Sequence, residues 1–150
     1  ANVGYVALVP NTNVSVGTAS TWSQVASSTS PHAVTFFFNG GGAQIATGDN
    51  GFYPGTGPLT GTINRVDISG AGTGGAACSI TVDIWKRNAL IPTSGQIISA
   101  AAPATLSSAN LAQSGSLTGW STSVAANDVW GASIATITGC FTALVQVWFQ

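Results

Sequence analysis

The sequence predicts an all-β protein, an antiparallel β-sandwich, on three observations. Apolar and polar residues alternate with a period of two through most of the chain, as in strands that bury one face. Clusters of glycine and asparagine interrupt the alternation at intervals typical of short strands. The one helical candidate, Ser107 to Gln113, is shorter than the three or four turns that a stable helix needs.

The alternation predicts these strands in chain order: Gly4 to Val9, Asn13 to Val16, His32 to Asn39, Gln44 to Ala46, Gly61 to Ser69, Cys78 to Arg87, Gly95 to Ile98, Trp120 to Val124, Asp128 to Ile137 and Phe141 to Phe149. The glycine-rich run from Gly70 to Gly75 is predicted to be a hairpin loop, because it lacks the Lys-Ser/Thr and the helix of a phosphate-binding loop. Many short antiparallel strands with long crossing connections favour a jelly-roll-like sandwich.

The composition changes around Gly51 to Pro58, and this loop-like stretch divides the chain into two predicted parts. Residues 59–150 are predicted to form the sandwich domain. Residues 1–58 are predicted to be N-terminal strands or an extended arm that pairs with the same sandwich or with a neighbouring subunit. Uncharged strands with free edges readily accept a strand from another chain.

The charge content excludes several functional classes. The 150 residues include three Lys or Arg and four Asp, so 5% of the chain is charged, while 45% is hydrophobic; soluble proteins average about 25% charged residues. Disordered chains combine low hydrophobicity with high charge, so disorder is excluded. Three bases cannot neutralise the phosphates of a nucleic-acid complex, and no apolar run is long enough for a membrane span. We therefore expect a single domain that functions packed against other proteins.

The first residues, Ala1 to Tyr5, lack the charged and apolar regions of a signal peptide. We expect a chain that either is not secreted or has already lost such a segment.

The ionisable residues predict neither catalysis nor a bound metal or cofactor. Asp67 and Asp83 are expected on adjacent strands, in ion pairs with the available bases, which are Arg65, Lys86 and Arg87. Asp49 and Asp128 lie in sequences typical of turns, where short acceptor side chains bind backbone N–H groups. His32 has no second histidine and no Gly-x-Ser-x-Gly motif near it, so we expect a histidine at a strand end.

Five tryptophans are the strongest remaining signal, because such side chains dominate cores and interfaces. Trp85 and Trp148 lie opposite the apolar faces of their predicted strands and should contact solvent or a partner. Trp120 is expected to fill the sandwich. An alternative is a glycan platform, in which Trp85, or the loop residues Phe52 and Tyr53, would stack on a sugar.

Cys78 and Cys140 are the two cysteines of the chain. They could form one disulfide if their strands lie side by side. Such a bridge would close a loop and stabilise the fold by about 4 kcal/mol in the chain-entropy model. Two buried thiols are the simpler interpretation, since nothing in the sequence indicates an oxidising compartment.

From Gly61 onward the chain resembles a β-sandwich domain of tailed-bacteriophage virion proteins, of the tail-fibre and capsid-decoration type. The resemblance is carried by an ordered series of phrases: Gly61-Thr62-Ile63, Ile80 to Lys86, Pro92-Thr93 followed by Ile97-Ile98, Pro103 to Ser107, Leu117 to Trp120, Asn127-Asp128 and a last hydrophobic strand.

The resemblance implies a non-enzymatic protein of the virion, assembled in the host cytoplasm. The expected partners are the major capsid or tail protein and copies of the chain itself, in a homotrimer, with neither nucleic acid nor cofactor. Our first hypothesis is a decoration (cement) or accessory surface protein. The second is a tail-fibre or receptor-binding domain that attaches to host-surface glycan. The third is a glycan-degrading enzyme, which would need two carboxylates in one cleft.

Overall fold

The structure is a computed structural model that describes residues 4–7, 22–25, 30–53 and 55–150. The chain divides into two compact units, Ala1–Ser30 and Pro31–Gln150. In the first unit, strand β1 (Gly4–Ala7) pairs antiparallel with β2 (Trp22–Val25). The predicted strand from Asn13 to Val16 lies outside the described residues.

The second unit contains all the remaining strands that the structure describes. They are β3 (His32–Asn39), β4 (Asn50–Tyr53), β5 (Gly61–Ala71), β6 (Cys78–Asn88), β7 (Ala104–Ala109), β8 (Leu111–Ser114), β9 (Ser123–Val124), β10 (Asp128–Thr138) and β11 (Thr142–Phe149). Short 3₁₀ turns occur at Thr73–Gly75 and Ser94–Gln96. Among the described residues, no helix is long and apolar enough to cross a membrane.

The strands of the second unit form two antiparallel sheets with the topology of a jelly roll. One sheet has the order β4-β10-β6-β7, and the other has the order β3-β11-β5-β8, with the short β9 also paired to β5. The first and last long strands of the unit, β3 and β11, are thus neighbours. Strands β4 and β10 are neighbours in the same way in the opposite sheet, as in a double-sheet jelly roll. The predicted fold class, an antiparallel β-sandwich of jelly-roll type, is confirmed.

Alternating burial along the strands places the core between the two sheets. In β11 the side chains of Ala143, Val145, Val147 and Phe149 are buried, while the residues between them are half-buried on the outer face. Trp130 of β10 is completely buried, and its ring stacks on Phe149 with centroids 6.4 Å apart. The period of two in the sequence therefore reflects one inward and one outward face.

The one helical candidate, Ser107 to Gln113, is not a helix. This segment contains the end of β7 and most of β8, and Ser108, within β7, has a φ of 45°. Leu106 points into the core, and the two strands pair with β6 and β5, in opposite sheets. Pairing with distant strands outweighs local helix preference in a segment this short.

Two predicted short strands are also absent from the described structure. The segment from Gln44 to Ala46 is a connection that buries Ile45, and Gly95 to Ile98 contains the 3₁₀ turn, with one isolated bridge between Ile97 and Trp85. In both segments one or two apolar residues enter the core without a continuous ladder. Over three or four residues, the apolar pattern of a short strand cannot be distinguished from that of a connection that buries one or two side chains.

The connection from Gly70 to Gly75 is not a hairpin loop within one sheet, because β5 and β6 belong to opposite sheets. Asp67 and Asp83 are therefore not on adjacent strands, as the sequence had predicted. Strands β3 and β4, from the segment predicted as N-terminal strands or an arm, lie in the two sheets of the sandwich.

Candidate functional surfaces

An exposed apolar row crosses the outer face of the β3-β11-β5-β8 sheet. Its four residues are cross-strand neighbours in register: Phe37, Leu144, Ser69 and Leu111. Phe37 is 62% exposed and Leu111 is 59% exposed, on the two edge strands of the sheet. A shallow depression of about 300 Å³ lies beside this row, between Phe37, Leu144 and Asn110. Three of the four side chains are apolar, and Ser69 separates Leu144 from Leu111, so the apolar row is a hydrophobic stripe with one small polar residue in it.

The same face carries little charge. Besides His32 at the start of β3, the ionisable side chains in the described strands of this sheet are Arg65 and Asp67 of β5, with Arg65 Nε 3.1 Å from Asp67 Oδ1. Asp67 is buried, but the Arg65 side chain is 45% exposed, so solvent screens the pair and reduces its contribution to stability. The face is therefore nearly neutral beyond this pair.

Trp148 lies on this face but is engaged within the chain. Its indole Nε1 donates a hydrogen bond of 2.8 Å to Asp67 Oδ2, and the Arg65 guanidinium carbon lies 4.9 Å from the ring centroid. The register places Arg65 directly opposite Trp148, so these contacts follow from strand pairing. Trp148 therefore has internal partners that the sequence analysis did not anticipate.

The outer face of the other sheet carries an aromatic cluster over a glycine. Phe52, Gly131 and Trp85 are cross-strand neighbours on β4, β10 and β6. A Cβ added at Gly131 would lie 3.2 Å from Trp85 Cε3 and from Pro92 Cγ, so both side chains cover this position. Phe52 remains 54% exposed. The structure thus brings Phe52 and Trp85 together. Aromatic side chains often cover a glycine of a neighbouring strand in this way.

Tyr53 belongs to β4 and pairs with Trp130, but its side chain lies outside what the structure describes. The neighbouring loop presents two more apolar side chains to solvent, Leu90 and Ile91. This surface is therefore aliphatic as well as aromatic.

Asp128 is buried beside β6 and is held by three donors. Its Oδ2 accepts hydrogen bonds from Lys86 Nζ at 2.7 Å and from the Ala125 backbone N–H at 2.8 Å, and Asn88 Nδ2 lies 3.3 Å from Oδ1. The side chains of Lys86 and Asp128 are 14% and 2% exposed. The contact with Ala125 is the turn contact predicted from sequence. The buried ion pair with Lys86 was not predicted.

The remaining ionisable residues are dispersed. Asp49 accepts a hydrogen bond from the Ala46 backbone N–H in an exposed turn, and His32 begins β3 with its ring 5.7 Å from that of Phe149. Asp83 lies on β6, in the sheet opposite Asp67. Within the described residues, no cluster of three or more His, Cys, Asp or Glu could hold a metal ion.

Cys78 and Cys140 form a disulfide. The sequence had allowed either this bridge or two free thiols. Cys78 begins β6 and Cys140 lies two residues before the start of β11, so the bridge joins the two sheets. Both cysteines are buried.

The surface residues that sequence analysis missed are Phe37, Leu111 and Gly131. Phe37 could have been found, because it alternates with Phe36 and Phe38, which are buried, and must point outward. Leu111 was missed because its segment was considered only as a helical candidate and was not among the predicted strands. Comparison with known proteins finds no matching family model, no matching curated protein and no matching solved structure.

Proposed function

We propose that the chain is a bacteriophage virion structural protein, a capsid decoration (cement) or accessory surface protein that stabilises the particle through subunit interfaces. The observation that carries the proposal is the apolar row, Phe37 to Leu111, on a nearly uncharged sheet face. Exposed hydrophobic patches on soluble proteins mark interaction sites. Jelly rolls are also frequent among viral capsid domains, which is an argument by analogy of fold.

The partners of this proposal are copies of the chain, in a homotrimer, and the major capsid or tail protein of the particle. The apolar row lies on both edge strands of its sheet, so a neighbouring subunit can cover Phe37 and Leu111 together. Burial of two such side chains contributes about 1.5–3 kcal/mol each when water is fully excluded. In a particle with many copies, this apolar burial would be repeated at every interface. It would stabilise the assembly although the few charged groups of the chain add little. The proposal assigns the chain no enzymatic activity and no cofactor.

Charges placed in the apolar row are expected to abolish self-association. In the variant Phe37→Lys/Leu111→Lys, each subunit carries two ammonium groups that association would have to desolvate, at a cost of several kcal/mol each. Sedimentation velocity of the wild-type chain and the variant measures the oligomeric state. The wild type is expected to form an oligomer and the variant a monomer with unchanged circular dichroism.

The control is Thr35→Lys/Gln113→Lys, which places the same charges on the same two strands. Thr35 and Gln113 are exposed and belong to the next row, through Gln146 and Asp67. The control is expected to retain most of the association. If the Phe37/Leu111 variant associates as well as the wild type, the apolar row is not the interface and the proposal loses its main support.

A second candidate function is a tail-fibre or receptor-binding domain, and the aromatic cluster of Phe52 and Trp85 favours it. Half-exposed aromatic rings can stack on sugar rings or bind protein side chains. Electron microscopy of labelled particles separates the two functions: label on the capsid surface supports the first, and label at a fibre tip supports the second.

A further inference from the structure

A pocket of about 230 Å³ opens between the two sheets at the edge formed by β7 and β8. Val66 and Ile68 of β5 form its floor, and Ala104 of β7 and Ala112 of β8 form its walls. The sheets of a sandwich lie about 10 Å apart, and alanine side chains are too short to fill that space. We call this cavity the interlayer pocket.

The size of the interlayer pocket suits a ring with substituents. In a protein interior, an apolar cavity of about 150 Å³ can hold benzene, so 230 Å³ leaves room for a six-membered ring with several attached groups. The pocket is also open to solvent on one side, so a bound ring can continue into a longer molecule.

One wall of the interlayer pocket is an aromatic ring in a fixed position. Trp120 is 9% exposed, and its indole Nε1 donates a hydrogen bond of 2.7 Å to the carbonyl oxygen of Ala102. Together with Val66, Ile68 and Leu117, the indole gives the pocket an apolar interior. A ligand must therefore present an apolar face to it.

The lining is uncharged and has a polar rim. None of the lining residues is acidic, basic or histidine, so a charged ligand would lose hydration without gaining a partner. The Ser116 side chain contributes to the rim and forms no hydrogen bond within the described residues. Gln113 pairs with Asp67, so its side chain is on the outer face of the sheet and does not enter the pocket. The hydroxyls of Thr105 and Ser114 donate to backbone carbonyls and keep lone pairs as acceptors.

We propose that the interlayer pocket binds one ring of a neutral saccharide. A hexopyranose has an apolar C–H face for Trp120 and the aliphatic floor, and hydroxyls for Ser114 and Ser116 at the rim. A purely apolar ligand would leave these rim groups unused, and an acidic sugar would find no cation. The proposal concerns a different surface from the apolar row, so it is independent of the proposed function.

Binding of methyl glycosides tests the proposal. The probes are the methyl glycosides of glucose, galactose, mannose and N-acetylglucosamine, with glucuronic acid and toluene for comparison. Titration calorimetry and ligand-observed NMR are expected to show at least one neutral glycoside binding with a Kd on the order of 1 mM. Glucuronic acid and toluene are expected to bind about tenfold more weakly or not at all.

Variants locate the binding. Ala112→Leu fills the pocket and is expected to weaken binding about tenfold or more, without lowering Tm, because the added side chain enters empty space. Ser114→Ala and Ser116→Ala each remove a rim hydroxyl at an exposed position and are expected to weaken binding about three- to tenfold. The controls Ala125→Leu and Ser121→Ala change exposed residues outside the pocket and are expected to bind as the wild type does.

Three results would overturn the proposal. The first is that none of the glycosides binds to the wild-type chain. The second is that Ala112→Leu binds as tightly as the wild type, which would place the sugar elsewhere. The third is that toluene binds more tightly than every glycoside while Ser114→Ala and Ser116→Ala have no effect, which would make the cavity a simple apolar one.

Discussion

Replacement of Asp128 by alanine is expected to lower the free energy of unfolding by about 3–5 kcal/mol, because it leaves a buried ammonium group without its counter-ion. Lys86 Nζ lies 2.7 Å from Asp128 Oδ2, and the two side chains are 14% and 2% exposed. The substitution also leaves the Ala125 backbone N–H without its acceptor. Urea unfolding followed by tryptophan fluorescence measures the change.

The double variant Lys86→Met/Asp128→Ala is the matched control. Methionine keeps most of the volume of the lysine stem without the charge, so the double variant is expected to regain part of the lost stability. Full recovery is not expected, since the turn at Ala125 still lacks its acceptor. A loss below about 1 kcal/mol in the single variant, the usual value for a surface ion pair, would show that the pair is solvated.

Removal of the disulfide is expected to lower the free energy of unfolding by about 4 kcal/mol. Cys78 and Cys140 are separated by 62 positions, and a cross-link that closes a loop of this length restricts the unfolded chain by about that amount in the chain-entropy model. The variant Cys78→Ala/Cys140→Ala removes both sulfurs, so that no buried thiol remains. Guanidinium unfolding of the oxidised wild type and of this variant gives the difference.

Reduction of the wild-type chain with dithiothreitol provides the comparison. Reduced wild type and the double alanine variant are expected to have nearly the same stability, apart from the small cavity that the lost sulfur atoms leave. If oxidised and reduced wild type unfold at the same denaturant concentration, the bridge contributes nothing to the stability of the fold.

The sequence predicted the long strands well because each buries one continuous face. His32–Asn39 was predicted with its observed bounds, and β5, β6, β10 and β11 differ from the prediction by one or two residues at their ends. The short strands were harder. A strand of four residues, such as Leu111–Ser114, is too short for its apolar pattern to distinguish a strand from a turn of helix.

The candidate surfaces could be predicted only in part, since they depend on strand register. The outward direction of Trp85 and Trp148 follows from local alternation, and both lie on outer sheet faces. That Trp148 faces Arg65 follows from the pairing of β11 with β5, which links residues far apart in the chain. For the same reason Lys86 was expected to pair with Asp67 or Asp83 and instead contacts Asp128.

The strand order also has a consequence for synthesis on the ribosome. Strand β10 lies between β4 and β6, and β11 lies between β3 and β5, so the last two strands of the sandwich in chain order occupy central positions in the two sheets. Before they emerge, the earlier strands have no partner on those sides and expose their backbone groups and apolar faces. The sandwich therefore closes only after β11 has been made, and a ribosome that stops before β10 leaves two incomplete sheets that are prone to aggregate.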